Sequence, residues 1–157
     1  MNHQKADLYL EIFHSIDFQK IKDHPNILIA AAFWDAERYG AACTAYKFMR
    51  SVDDLIDNYK ALNNCIGEKE QAGFEAYVRS WLERIKKRED QTPEEDVLTA
   101  TWKKFLMPDW PVESFARSMI YDIHHNGFQA FEDFLEYAEG ACVAPAGIFV
   151  HLCGLRE

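Results

Sequence analysis

Three observations predict an all-α protein. Only seven Gly and five Pro punctuate 157 residues, too few for the turns of a many-stranded sheet. Apolar side chains recur at helical intervals in almost every segment, the pattern of helices with one buried face. Helix start and stop residues bracket those segments.

Leu8, Ile12, Phe13, Ile16 and Ile21 share one face of a first helix ending near Pro25. The apolar run Ile27 to Trp34 leads into Asp35, whose short carboxylate suits an N-cap. A long helix is predicted from Ala36 to about Leu62, with Ala41, Ala45, Phe48, Val52, Leu55, Ile56 and Tyr59 as its core stripe. An amphipathic helix over about Lys69 to Lys87 would bury Phe74, Tyr77, Val78, Trp81, Leu82 and Ile85. Its basic end, Arg84-Ile85-Lys86-Lys87-Arg88, suits a helix C-terminus better than a nucleic-acid patch. Thr92-Pro93-Glu94-Glu95 is a strong start signal, and that helix should reach about Leu106. After a turn at Met107-Pro108-Asp109-Trp110-Pro111, a helix covers Val112 to His125. A short loop holds Asn126 and Gly127. The last helix begins near Phe131 and is interrupted around Gly140 and Pro145. No repeat or linker divides these elements, so residues 1–157 read as a single all-α domain.

Composition narrows the function. With 48% apolar and 14% aromatic residues the chain is not intrinsically disordered. A net charge of −9 argues against nucleic acid as the main partner, which would need a basic surface. Cys43, Cys65, Cys142 and Cys153 include no closely spaced pair, so a zinc cluster is not expected. The N-terminus has no signal-peptide core, and the longest apolar runs fall far short of the ~20 residues that span a bilayer. A reduced, cytoplasmic, soluble protein is the economical expectation, with peripheral membrane contact left open.

The segment Tyr46-Lys47-Phe48-Met49-Arg50-Ser51-Val52-Asp53-Asp54-Leu55-Ile56-Asp57 carries the chemistry. On a helix Tyr46, Arg50, Asp53 and Asp57 fall in one wedge, placed roughly opposite the core stripe, with Asp54 beside it. Carboxylates one turn apart repel each other. A hard divalent cation offsets that repulsion, because Mg²⁺ takes one or two carboxylates and completes its shell with water and substrate phosphates. Arg50 offers a fork of donors that fits a phosphate oxygen. The set reads as a Mg²⁺-diphosphate site. The competing reading is a solvated face on which Arg50 pairs weakly with Asp53 or Asp54.

"AYKFMRSVDDLIDN" resembles the first aspartate-rich motif of the squalene/phytoene synthases, the head-to-head trans-prenyltransferases. "SMIYDIHHNGFQAFEDFLEYAEGACVAPAGIF" is similar to the family's later segment, in which an Asp-bearing helix is followed by a Tyr opening a helix of small residues. In the family the two stand fifteen residues apart, and Asp122 and Tyr137 have that separation. The similarity extends loosely over Ile27 to Gly154. It implies a helical bundle of the isoprenoid synthase type, with Asp53 and Asp57 binding Mg²⁺ and diphosphate. Arg50 and Tyr46 would contact the diphosphate and Asp54 would support them. Tyr137 would stand near the carbocation, with Asp122 as a cavity residue. The implied substrate is an allylic prenyl diphosphate, farnesyl or geranylgeranyl.

The family's second aspartate-rich motif would fall about 40 residues beyond Tyr137, past Glu157, and no later DxxxD occurs here. The expectation is therefore an N-terminal half of the family fold. Such a chain, taken alone, would be inactive, expose apolar helix faces and self-associate. Two alternatives stay open. One is a non-catalytic binding or assembly protein of the same fold. The other is a di-iron carboxylate bundle, prompted by Glu11-Ile12-Phe13-His14 and by the Asp122/His125 spacing, although only one true ExxH is present.

Overall fold

The computed structural model describes residues 26–63, 65–88 and 93–154, and every described element is helical. The helix expected over Leu8 to Ile21, with Glu11 and His14, lies outside those residues.

A short helix α1 (Asn26–Ala31) turns into the long α2 (Ala36–Asn63). Asp35 caps α2 as its sequence position predicts: Oδ1 accepts the backbone N–H groups of Glu37 (3.1 Å) and Arg38 (2.9 Å). The Arg38 N–H and guanidinium hold the Asp35 carboxyl below the usual carboxylate range. Helix α3 (Glu68–Lys87) ends at Arg88, whose left-handed φ of 59° stops the helix. The Arg88 side chain then donates to Asp109 at 2.8 Å, tying that end to the turn before α5. Helix α4 (Pro93–Phe105) stops at Leu106 in the left-handed region (φ 52°), where the Met107 N–H reaches back to the Trp102 carbonyl at 3.0 Å.

Helix α5 (Trp110–His124) is the hub, packed against α2, α3, α6 and α7. Its buried residues include Val112, Ser114, Phe115, Ala116, Ser118, Met119 and Ile123. Trp81 of α3 is fully buried beside it, edge-on to Phe48 of α2 with ring centroids 5.0 Å apart. Lys86 and Glu113 meet at 2.7 Å between α3 and α5, so the basic end of α3 is used within the fold.

The last segment is continuous rather than broken. Helix α6 (Phe131–Ala138) passes through a π-helical turn (Glu139–Val143) into α7 (Ala144–Leu152). Asp133 accepts the backbone N–H groups of Gln129 (3.1 Å) and Ala130 (3.0 Å) to start α6. The Ala144 N–H bonds the Glu139 carbonyl, one residue further back than in an α-helix. Pro145 follows at once; it has no N–H and its ring would press on the carbonyl four residues back, so the widened turn accommodates it. Gly140 sits in this turn against α5, so close that a Cβ would meet the Ser114 carbonyl oxygen at 2.0 Å and Ser118 Oγ at 2.1 Å.

The buried sector of α2 differs from the expected stripe. Ala41, Ala42, Ala45, Met49, Val52 and Ile56 are buried, while Leu55 is exposed. That rotates the sector by about 40° toward the acidic wedge. The reason is that α2 meets α4, α5 and α7 rather than one neighbour. Tyr77 of α3 is likewise exposed rather than core. No described helix is long and apolar enough to cross a membrane.

Candidate functional site

Because the buried sector of α2 is rotated, the wedge does not lie opposite the core but along its border. Tyr46 and Asp53 are partly buried, Arg50 and Asp57 exposed. Tyr46, Arg50 and Asp53 line a cavity of about 180 Å³ whose other walls are Met49, Phe115, Met119, Ala141 and Pro145. A solvated-face reading fits this poorly, since the Asp53 side chain keeps only 28% of its exposure. Burial, then the Asp57 charge, lifts the Asp53 carboxyl above its usual range, with Arg50 opposing and Asp54 and Asp122 adding to the rise. Arg50 bridges two acids, Asp53 at 2.8 Å and Asp54 at 2.5 Å. Two of its five donors are thereby used and the rest remain for another anion.

Helices α5 and α6 bring the second sequence segment to the same place. Asp122, in the last turn of α5, is partly buried. Tyr137 of α6 is half-buried; burial first, then the charges of Asp122, Asp53 and Asp57, push its phenol from about 10 up to about 12. Tyr137 thus stands within electrostatic reach of all three aspartates. The seam that fixes Tyr137 is the close approach at Gly140, where Ser118 Oγ donates to the Tyr137 carbonyl at 2.7 Å. Tyr121 and Phe128 flank Tyr137, with ring centroids 6.0 and 5.3 Å away.

The Tyr137 shift has a direct check. Through the ordinary tyrosine range near about pH 10, wild type and Tyr137→Phe should release the same phenolate absorbance. A wild-type excess of one phenolate there would mean Tyr137 faces solvent.

Sequence reasoning missed Lys60. Its Nζ donates to Asp122 Oδ1 and to the His125 carbonyl, both at 2.8 Å. The signal was available: Tyr46, Asp53 and Lys60 recur every seven residues on one face of α2. Lys60, Asp122, Tyr137, Tyr121, His125 and Phe128 border a second cavity of about 450 Å³. The aromatic wall of Tyr121 and Phe128 also escaped notice, because it forms only when the loop after α5 folds back.

The Asp122/His125 pairing suggested by helix spacing is not made. Asp122 goes to Lys60, while the His125 ring stacks on Tyr121 at 4.1 Å and places Nδ1 2.9 Å from the Tyr121 carbonyl. Among the described residues, no three His, Cys, Asp or Glu come together as a metal-ligating group. Two carboxylates with a partner oxyanion remain the donor set that Asp53 and Asp57 offer. All four cysteines are free.

The site thus sets an acidic helix face between an apolar cavity and an aromatic one, an arrangement suited to a ligand with a metal-borne anionic head and an apolar body. No curated protein and no solved structure gives a significant match to the chain. The squalene/phytoene synthase family model matches residues 22–152, which take in both motif segments, and the chain belongs to that family, whose fold is the all-helical isoprenoid synthase fold.

Proposed function

We propose that this chain binds an allylic prenyl diphosphate, farnesyl or geranylgeranyl, at the Asp53–Asp57 face of α2, and that it serves the head-to-head condensation characteristic of its family. The observation that carries the proposal is convergence. Two segments more than sixty residues apart in the sequence put Asp53, Asp57, Asp122 and Tyr137 within one electrostatic neighbourhood.

Asp53 and Asp57 would hold Mg²⁺, and the raised Asp53 carboxyl fits that role, because an uncompensated carboxylate pair is what a divalent cation relieves. When bound, the ion neutralises charge on the departing diphosphate. Arg50, anchored by Asp53 and Asp54, turns its remaining donors to a phosphate oxygen, and Tyr46 supports the same group from one turn upstream. Tyr137 stays un-ionised at neutral pH, so it offers a π face and a neutral oxygen to the allylic cation rather than a phenolate that would capture it. Met49, Phe115 and Met119 give the cavity beside Tyr46, Arg50 and Asp53 an apolar wall suited to the prenyl chain.

Incubating the protein with Mg²⁺ and farnesyl or geranylgeranyl diphosphate tests the proposal. Mg²⁺-dependent binding of either substrate by the chain alone is the expected result, and a chain that binds neither overturns the proposal. Diphosphate release with a head-to-head C30 or C40 product once a polypeptide carrying a second aspartate-rich motif is added would support the condensation; binding that yields no product even then would favour the non-catalytic binding protein.

A further inference from the structure

Lys60 lies on the face of α2 that carries Asp53 and Asp57, yet it makes no contact with either of them among the described interactions. Its ammonium spans 62 residues of sequence to Asp122 on α5. The pair is shielded: the side chains keep only 17% and 23% of their exposure. Exposed ion pairs contribute little, but a shielded one with a second hydrogen bond is held in place. The second bond goes to the His125 carbonyl just past the end of α5, where a cation also meets the negative end of the helix dipole. The lysine is thus fixed at both its bonds, and Asp122 is fixed with it.

We propose that Lys60 is a positioning residue of the site: it holds the Asp122 carboxylate at the end of α5 and balances its charge, so that the metal meets two carboxylates and not three. The inference rests on the prenyl diphosphate reading of Asp53 and Asp57. Its consequence is a limit on negative charge. A third free carboxylate would draw the divalent cation more strongly while repelling the diphosphate it must carry. With Lys60 in place, Asp122 serves as an anchor for the aromatic end of the cavity.

The test is calorimetric titration of the full chain with Mg²⁺ alone, then with geranylgeranyl thiodiphosphate at saturating Mg²⁺. Lys60→Met should tighten Mg²⁺ about three- to tenfold and weaken the thiodiphosphate by a similar factor. Asp122→Asn leaves the lysine uncompensated and should shift Mg²⁺ affinity in the opposite direction, which keeps the test open if Lys60→Met does not fold. The double variant Lys60→Met plus Asp122→Asn should return both affinities to within about twofold of wild type, and Lys60→Arg should retain them. A merely structural lysine would lower the melting temperature and leave Mg²⁺ affinity unchanged in all these variants; that result overturns the proposal. Should wild type itself bind no Mg²⁺, the metal-site reading falls and the inference falls with it. Wild-type binding with an unaltered Lys60→Met affinity removes the inference alone.

Discussion

Gly140→Ala is expected to destabilise the protein by about 3 kcal/mol or more, against the usual sign of a glycine-to-alanine change in a helix. At an open helical position that substitution gains about 0.5–1 kcal/mol. At Gly140 the added methyl would stand 2.0 Å from the Ser114 carbonyl oxygen and 2.1 Å from Ser118 Oγ. The first is backbone of the hub helix α5, and the second is committed to the Tyr137 carbonyl. Relief therefore requires α6 and α5 to separate, which also leaves a buried hydroxyl unpaired at a cost of about 1–3 kcal/mol. Urea unfolding monitored by far-UV circular dichroism reads the change. A variant within about 0.5 kcal/mol of wild type would mean that the helices pack less closely than described. Because the same seam fixes Tyr137, any folded Gly140→Ala protein should also ionise an additional tyrosine near about pH 10.

The second large effect concerns the acidic wedge. Asp53→Asn combined with Asp57→Asn should weaken Mg²⁺-dependent binding of a prenyl thiodiphosphate by at least about a hundredfold, since changes even to groups that only support a ligand cost 10–100-fold. Loss of folding cannot mimic the result, because the stability change has the opposite sign. Asp53 has a folded-state pKa raised above its unfolded value by burial and by Asp57. Its contribution to stability is fully present below the unfolded pKa and is lost as pH rises through the folded one. At neutral pH without metal, ionised Asp53 is therefore a burden on the fold, and the Asn variant should melt no lower than wild type. That advantage should shrink as pH falls into the range where wild-type Asp53 takes up its proton, which burial and Asp57 place above the ordinary carboxylate range. Metal binding in wild type should strengthen over the same rising interval, because the cation competes with that proton.

Much of this was legible in the sequence. Asp35 marks the start of α2 as an N-cap, and the regular apolar spacing carries the helix to within a residue of its end at Asn63. The turn signal over Met107 to Pro111 points to a helix start at Val112, whereas α5 starts at Trp110, because proline fits the first turn of a helix as well as a turn. Gly140 and Pro145 mark an interruption in the sequence. Periodicity alone cannot tell a break from a π-helical turn, since only the hydrogen bonds distinguish them. Asp53 and Asp57 stand in one motif segment and Asp122 and Tyr137 in the other, and the fold brings the two segments together. What was not legible depends on tertiary neighbours. The rotation of the buried face of α2 follows from its packing on several helices at once, and the pairing of Lys60 needs Asp122, which no local pattern connects to it.

Binding of a prenyl diphosphate at the acidic face of α2 should depend on a divalent cation. The wild-type chain can be titrated with geranylgeranyl thiodiphosphate, once in Mg²⁺ and once in a chelator. Saturable binding in Mg²⁺ that disappears in the chelator is the predicted result. Equal affinity in the two conditions, or no binding in either, would contradict it.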